Sequence, residues 1–185
     1  MEDKREDRLE QVLNRVIDWV KYEEAKNAAL ITLDSVGVGV ILQWPSASQS
    51  STALSPWLKN SSLAAILISL LIALSSVYPV LNGNKLRDYV VSRWRRRLEK
   101  KTAWEPNVLF FGDIAGLKAE EYLKHFHRTI DAGDGNTNLE LAYAQQITAN
   151  ADIALMKVRI FQAAFLLSFL GFIIMTCGAA IAHLR

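Results

Sequence analysis

The chain has 185 residues, 51% of them hydrophobic, and a formal net charge of +2. Its single cysteine, Cys177, excludes an internal disulfide and a thiolate metal cluster. Apolar and charged residues occur in separate blocks instead of alternating at helical or strand period. This segregation favours a membrane protein over a soluble domain. The basic run Arg95–Arg97 is too short for a nucleic-acid-binding module.

The N-terminal segment is predicted to be an amphipathic helix over residues 5–26. Its apolar residues recur at spacings of three and four: Leu9, Val12, Leu13, Val16, Ile17 and Val20. No Gly or Pro separates this helix from the apolar block that follows. We therefore expect the helix to run unbroken from the 1–27 segment into the membrane.

Three nearly uncharged blocks are long enough to cross a bilayer. They cover 28–44, 63–80 and 160–181, with 17, 18 and 22 residues. At about 1.5 Å per residue they reach roughly 26–33 Å, close to a hydrocarbon core of ~30 Å. The sequence thus predicts an all-α membrane protein with three transmembrane helices, the third over 160–183. The alternative, buried hairpin helices in a soluble bundle, leaves little amphipathic sequence to cover them.

Asp34 lies near the middle of the first apolar block. An ionised carboxylate there costs on the order of 3 kcal/mol or more unless it faces a bundle interior or water. Two interpretations remain open. Asp34 is either a functional membrane-embedded group or a hydrogen-bonded residue that fixes helix packing.

The region between the second and third blocks, 81–158, is predicted to be a small helical insert that includes a stalk helix. It begins with an "NGN" turn signal and a basic helix, whose Arg95–Arg97 run suits either lipid head groups or a ligand phosphate. After Pro106, "NVLFFGDIAG" is predicted to be a strand-like segment or a buried loop. A helix is expected over 118–131 and a loop over 131–136.

Thr137 and Glu140 match a capping box, with Thr at the N-cap and Glu at the third helical position. The pattern then stays helical until Gly171, which predicts one long helix from the stalk into the third span. Small and apolar residues repeat along the stalk at alternating three and four: Ala144, Ile147, Ala151, Ala154 and Val158. We expect this seam to pack against the apolar face of the N-terminal helix.

The distribution of Lys and Arg predicts the topology. Six precede the first span and thirteen lie between the second and third, whereas the 45–62 loop has only Lys59. By the positive-inside rule, the N-terminus and the 81–158 insert face the cytoplasm. The 45–62 loop and the C-terminus face outside.

Catalytic and metal-binding motifs are not found in the sequence, so no enzyme, cofactor or metal is expected. His125 and His127 are two residues apart on a predicted helix, so they point to different sides and do not share a metal easily. Polar residues Gln146, Asn150 and Lys157 line the stalk beside its alanine seam. Such a stripe is usually solvated, although part of it can face inward.

Four segments together resemble the transmembrane effector family of Pycsar, a bacterial anti-phage system that signals with cyclic pyrimidine nucleotides. They are "EEAKNAALITL" at 23–33, "SSVYPV" at 75–80, "LFFGDIAGLKAEEYL" at 109–123 and "AQQITANADIALMKVRIFQAAFLL" at 144–167. The similarity covers residues 12–183. It implies an effector rather than an enzyme: a partner cyclase makes cCMP or cUMP on infection, and the activated effector impairs the membrane, which causes abortive infection.

This resemblance implies that the insert is a sensor for a ligand with one negative charge, a flat ring and a polar base edge. Arg and Lys side chains suit the phosphate, and aromatic rings suit the base. The candidates for the phosphate are Arg93, Arg96 and Arg97; those for stacking are Trp94, Trp104, Phe111 and Tyr122; those for the base edge are Asp113, Gln146 and Asn150.

A homo-oligomer is expected, because a three-span protomer is too small to enclose an aqueous path, and Gly37 and Gly39 permit close helix approach. Two alternatives to the ligand-gated effector remain. One is a ligand-independent membrane adaptor or anchor, and the other is a holin-like pore former.

Overall fold

The structure, a computed structural model, describes residues 2–44, 56–77, 89, 92–93, 105–130 and 137–183. The helices bounded in this part of the chain are α1 (Glu2–Gln43), α2 (Pro56–Ser75), α3 (Phe111–Ile114), α4 (Ala119–Thr129) and α5 (Asn138–His183). No strand occurs among the described residues, and α1, α2 and α5 are long and apolar enough to cross a membrane. The predicted all-α fold with three spans is confirmed.

The first and last helices are continuous. α1 has 42 residues and α5 has 46, which confirms that each amphipathic segment joins its span without a break. The chain divides into two compact units. We call Met1–Glu23 with Val80–Val158 the head unit, and Glu24–Pro79 with Arg159–Arg185 the membrane unit. Both α1 and α5 contribute residues to both units.

The head unit has one large hydrophobic core formed by α1, α3, α4 and α5. Its buried members are Leu9, Val12, Val16, Val108, Phe111, Ile114, Ala115, Tyr122, Leu123, Phe126, Ala144, Ile147, Ala151, Ala154 and Leu155. Small alanines on α5 let the side chains of the other helices fill the space between them. The predicted packing of the stalk seam with the N-terminal helix is confirmed, since Leu9 and Val16 share this core with Ala144 and Ile147.

The segment after Pro106 differs from the prediction of a strand-like run or buried loop, because it contains the single helical turn α3. Short polar side chains close this turn locally: Asn107 Oδ1 accepts from Leu109 N–H at 2.9 Å, and Asp113 Oδ2 accepts from Asn107 N–H at 3.1 Å. Gly116 follows with φ 87, a left-handed conformation that favours glycine. Its N–H donates to Asp152 Oδ1 on α5 at 2.8 Å, which fixes the end of the turn.

The two later helices of the head begin close to their predicted positions. α4 covers Ala119–Thr129 within the predicted 118–131. At the start of α5 the capping box is confirmed: Glu140 N–H donates to Thr137 Oγ1 and Thr137 N–H donates to Glu140 Oε2, both at 3.1 Å. Tyr89, Ser92 and Arg93 are helical, but most of the predicted basic helix, the "NGN" turn and the 131–136 loop lie outside the described residues.

In the membrane unit, α2 begins at Pro56, ahead of the apolar block that starts at Leu63. The end of the predicted 45–62 loop is therefore helical. Proline is compatible with a first helical position because its missing N–H has no intrahelical partner there. Lys59 on the first turn of α2 donates to the Trp44 carbonyl at 2.7 Å. Residues 45–55 lie outside the described residues.

Glycines allow the three spans to approach closely. A Cβ at Gly37 would lie 2.8 Å from the ring of Phe172, and one at Gly171 would lie 2.6 Å from Ile66 Cγ1. Ser62 Oγ donates to the Gly171 carbonyl at 2.8 Å beside this contact. The close approach predicted at Gly37 thus occurs within the protomer, whereas Gly39 has open space around it.

Candidate ligand cleft and buried carboxyl

A cleft of about 260 Å³ opens in the head unit between α1, the segment before α3 and the end of α4. Its lining residues are Arg8, Gln11, Val12, Arg15, Val108, Leu109, Phe126, Thr129 and Ile130. Small-molecule pockets usually measure roughly 300–1,000 Å³. The cleft therefore suits a small ligand that keeps part of its surface in water.

Arg8 and Arg15 give the cleft a cationic rim. They are seven residues apart on α1, hence on one side of the helix and about 10 Å apart along its axis. Both are exposed, and neither guanidinium has a hydrogen-bond or ion-pair partner among the described residues. Two forked donors without protein acceptors are suited to an anion such as a phosphate.

The wall of the cleft is apolar and rigid. Val12 and Val108 are 4% exposed and Phe126 is 2% exposed, so these side chains belong to the head core. Phe126 stacks on Tyr122 with ring centroids 6.0 Å apart. Gln11 and Thr129 supply the polar atoms of the lining. A ligand with an anionic group for the rim and a flat apolar part for the wall matches this combination.

A buried polar cluster lies next to the cleft and joins three helices; we call it the clasp. Glu140 on α5 is fully buried, with Oε1 3.5 Å from Arg5 Nε on α1 and Oε2 3.6 Å from His127 Nε2 on α4. Arg5 is one turn from Arg8, and His127 follows Phe126, so the clasp and the cleft use the same parts of α1 and α4.

The predicted ligand residues are distributed differently. Arg93 is exposed, with Nη1 3.3 Å from the Tyr89 hydroxyl, while Trp94, Arg96, Arg97 and Trp104 lie outside the described residues. The base-edge candidates bond locally: Asp113 to Asn107 N–H, and Asn150 Nδ2 to the carbonyl of the exposed Gln146. None of these described residues lines the cleft.

The two stacking candidates that the structure describes are core residues. Phe111 is 7% exposed and packs on Trp19, with centroids 5.2 Å apart. Tyr122 is fully buried; its hydroxyl donates to the Val108 carbonyl at 3.3 Å, and burial raises the pKa of this phenol. Neither ring has a free face for a base in this arrangement, because core side chains cover both.

The cleft residues on α1 were not predicted from the sequence, although their spacing is visible in it. Arg8, Gln11 and Arg15 repeat at three and four residues, one position before the buried Leu9, Val12 and Val16. They therefore lie along one edge of the apolar stripe of α1. The same pattern is common on solvated helix faces, so the spacing alone does not mark a ligand groove.

The membrane unit has its own polar centre at Asp34, which is fully buried. Ser168 Oγ on α5 donates to Asp34 Oδ1 at 2.5 Å, and Ser69 Oγ on α2 donates to Oδ2 at 2.6 Å. Ser69 Oγ also lies 2.8 Å from the Ala164 carbonyl. All three spans thus meet at one carboxyl, and Asp34 faces the interior of the bundle.

These features define a class: a multi-pass membrane protein that pairs three spanning helices with a helical head carrying a cationic cleft. The sequence model of the Pycsar effector protein domain matches residues 8–184, and the chain therefore belongs to this family. The chain is also similar to the Pycsar effector protein RsPycTM of a Rhizobium species, with 27% identity over 150 residues. That match covers 80% of this chain and 78% of the relative. No solved structure matches the chain.

Proposed function

We propose that this protein is a membrane effector of bacterial anti-phage defence, activated by a cyclic pyrimidine nucleotide that binds the head cleft. Family membership supports the anti-phage role. The observation that carries the ligand site is the pair Arg8 and Arg15, two cations without protein partners among the described residues, beside the apolar wall at Phe126. The ligand, cCMP or cUMP, is supplied by a partner cyclase.

The chemistry of the ligand matches the cleft group by group. Its single phosphate charge is placed between the two guanidinium groups, where charge-assisted and bidentate hydrogen bonds form. The flat pyrimidine lies over the side chain of Leu109, which is 44% exposed, at the edge of the apolar wall that Val108 and Phe126 complete from the core. Gln11 and Thr129 offer donors and acceptors to its polar edge.

The clasp gives the ligand a route to the membrane. Drawing Arg8 and the end of α4 towards one phosphate shifts the adjacent Arg5 and His127, which both lie against Glu140. α1 and α5 then carry the change, because each is a continuous helix that includes both head and membrane residues. The protein forms homo-oligomers in the bacterial inner membrane, with the head unit in the cytoplasm. The change in α1 and α5 impairs this membrane and stops growth of the infected cell.

Calorimetry on detergent-purified protein tests the ligand site, with cCMP, cUMP, cAMP and cGMP as ligands. Arg8→Ala and Arg15→Ala each remove a charge-assisted bond of about 1.5–3 kcal/mol, so we expect roughly ten- to hundredfold weaker binding. Lys124→Ala is the matched control, since it removes one exposed positive charge of the head away from the cleft.

The binding constants of the variants show whether the nucleotide binds in the cleft or at the predicted basic helix. Weakening by Arg93→Ala or Arg97→Ala, with the cleft variants unchanged, assigns the ligand to the residues predicted from sequence and refutes the cleft. No heat with either pyrimidine nucleotide, from protein that is helical by circular dichroism, refutes the sensor role.

Expression in bacteria separates the ligand-gated effector from its two alternatives. The effector is tolerated alone and becomes toxic beside a pyrimidine nucleotide cyclase. A holin-like pore former is toxic alone, and an adaptor or anchor is toxic in neither case. Arg15→Ala should restore growth in the presence of the cyclase, whereas Lys124→Ala should not.

A further inference from the structure

In the membrane unit, several polar side chains are buried, whereas many large apolar side chains are exposed. The buried polar residues recur at intervals of seven: Asn27 and Asp34 on α1, and Ser62, Ser69 and Ser76 along α2 and just after it, with Ser168 on α5. The exposed residues on the same helices include Leu33, Val36, Ile68, Leu71, Leu166 and Phe169. The buried faces of the spans also carry apolar residues, such as Leu30, Ile66 and Ala164, so the interior is mixed. Its polar contacts centre on Asp34, Ser69 and Ser168.

Asp34 is the centre of the buried polar contacts. It is 0% exposed, and its two oxygens accept from Ser168 and Ser69, one hydroxyl from each of the other two spans. The Ser69 hydroxyl has one proton and two acceptors within 2.8 Å, Asp34 and the Ala164 carbonyl. The three helices thus close around a single carboxyl.

The three helices can separate at low energetic cost only if Asp34 gains new hydrogen-bond partners. A carboxyl that loses its hydroxyl partners inside a bilayer must regain hydrogen bonds, because unpaired polar groups are costly in hydrocarbon. Water and cations can supply replacement contacts, and lipid tails cannot. Separation of the spans therefore exposes a path lined by hydroxyls and a negative carboxylate, which attracts cations and repels anions as acidic rings do in channels.

We propose that Asp34 is the ion-selecting group of a path for monovalent cations between these spans, and that Ser69 and Ser168 keep this path closed at rest. Several copies of the chain contribute their carboxylates, since one three-helix protomer is too small to enclose a water-filled path. Only the trigger rests on the proposed function. The closed state and the selectivity follow from the membrane unit itself.

The test is ion flux in vesicles of phosphatidylethanolamine and phosphatidylglycerol that contain the purified full-length chain. Ser69→Ala/Ser168→Ala removes the hydroxyls that hold Asp34, so we expect K⁺ efflux without nucleotide at least about tenfold above the wild type. The reversal potential in a KCl gradient should show preference for K⁺ over Cl⁻. Adding Asp34→Asn to this variant should keep the leak and abolish the preference.

Ser75→Ala and Ser35→Ala are the matched controls, because these exposed hydroxyls bond to carbonyls of their own helices, Ile72 and Ile31. Both should stay as tight as the wild type. If the double variant fails to insert, K⁺ efflux and the reversal potential can be measured on two other samples. These are Ser168→Ala alone and the wild type with cCMP or cUMP. A folded double variant that does not leak, or a leak with equal K⁺ and Cl⁻ permeability, overturns the proposal, as does a preference that survives Asp34→Asn.

Failure of the proposed function is visible separately. Calorimetry that finds no nucleotide binding leaves the nucleotide-free leak of the double variant unaffected. Conversely, an unselective leak with intact nucleotide binding removes the role of Asp34 and keeps the sensor.

Discussion

Ser168 donates a 2.5 Å hydrogen bond to Asp34 although 134 positions separate the two residues in the chain. This bond connects α5 to α1 inside the membrane unit, where both partners are buried. Hydrogen bonds between membrane helices average about 0.6 kcal/mol and reach about 1.7. Because the partner here is a carboxyl, we expect a value at the upper end of that range.

Ser168→Ala should therefore lower the free energy of unfolding of the membrane unit by about 1–1.7 kcal/mol. Unfolding in mixed micelles titrated with a denaturing detergent, followed by circular dichroism, measures the change. Ser75→Ala, an exposed serine bonded within its own helix, should cost less than half as much. Equal costs for the two variants contradict a stabilising role of the Asp34 bond.

Gly171→Ala should separate α2 from α5. The added Cβ would lie 2.6 Å from Ile66 Cγ1 and 3.3 Å from the backbone carbonyl oxygen of Ser62. Because one of these neighbours is a backbone atom of α2, the contact can be relieved only by moving the helix. Overpacking of this kind costs about 1–3 kcal/mol. Gly39→Ala is the matched control, since nothing lies within 4 Å of its Cβ position and alanine gains about 0.5–1 kcal/mol of helix propensity. The same micelle titration should give opposite signs for the two changes.

Gly116→Ala should destabilise the head unit, because Gly116 has φ 87 and a side chain in that conformation costs about 1–2 kcal/mol. Asp152→Ala should give a similar loss by removing the acceptor of the Gly116 N–H. Hydrogen exchange of the 107–118 segment should accelerate in both variants. Asp7→Ala, which removes an exposed acidic group from α1, is the control and should leave that exchange rate unchanged.

Glu140→Gln should weaken the clasp while preserving the capping of α5. The amide oxygen can still accept from Thr137 N–H, but the charge that faces Arg5 and His127 is lost. Glu140 Oε1 and His127 Nε2 have no hydrogen-bond partner among the described residues, so these are charge contacts at 3.5–3.6 Å. We expect a loss smaller than the ~1.5–3 kcal/mol of a charge-assisted hydrogen bond. Thermal unfolding should show a lower Tm, with Glu120→Gln, an exposed acid of α4, unchanged. Identical Tm values for the two variants argue against the clasp.

Reporter fusions test the orientation predicted from Lys and Arg. A periplasm-active phosphatase joined after Arg185 should be active, and a cytoplasm-fluorescent protein at the same site should be dark. The same reporters inserted between Ala132 and Gly133, in the predicted 131–136 loop, should give the reverse. A fluorescent fusion after Arg185 reverses the topology and places the head outside the cytoplasm.

Much of the fold was predictable because local patterns carry it. Three local patterns each predicted an element that the structure contains. They are the three- and four-residue periods of Leu9–Val20 and Ala144–Val158, the absence of helix breakers before the first and third spans, and the Thr137–Glu140 capping box. The turn α3 was not predicted, because an apolar run of this length fits a strand as well as a buried helical turn. Here the side chains of Asn107 and Asp113 decide between them.

The sequence by itself determined three spans, two uninterrupted helices that enter the membrane, and a resemblance that the family match then confirmed. Only the tertiary structure decided that Asp34 meets Ser69 and Ser168, and that Arg8 and Arg15 border Phe126. The reason is physical. Periodicity shows which residues share a face of one helix, but the rotation and register of neighbouring helices decide which faces meet. The rotation and register of the helices depend on packing among residues distant in the chain, such as Gly171 against Ile66.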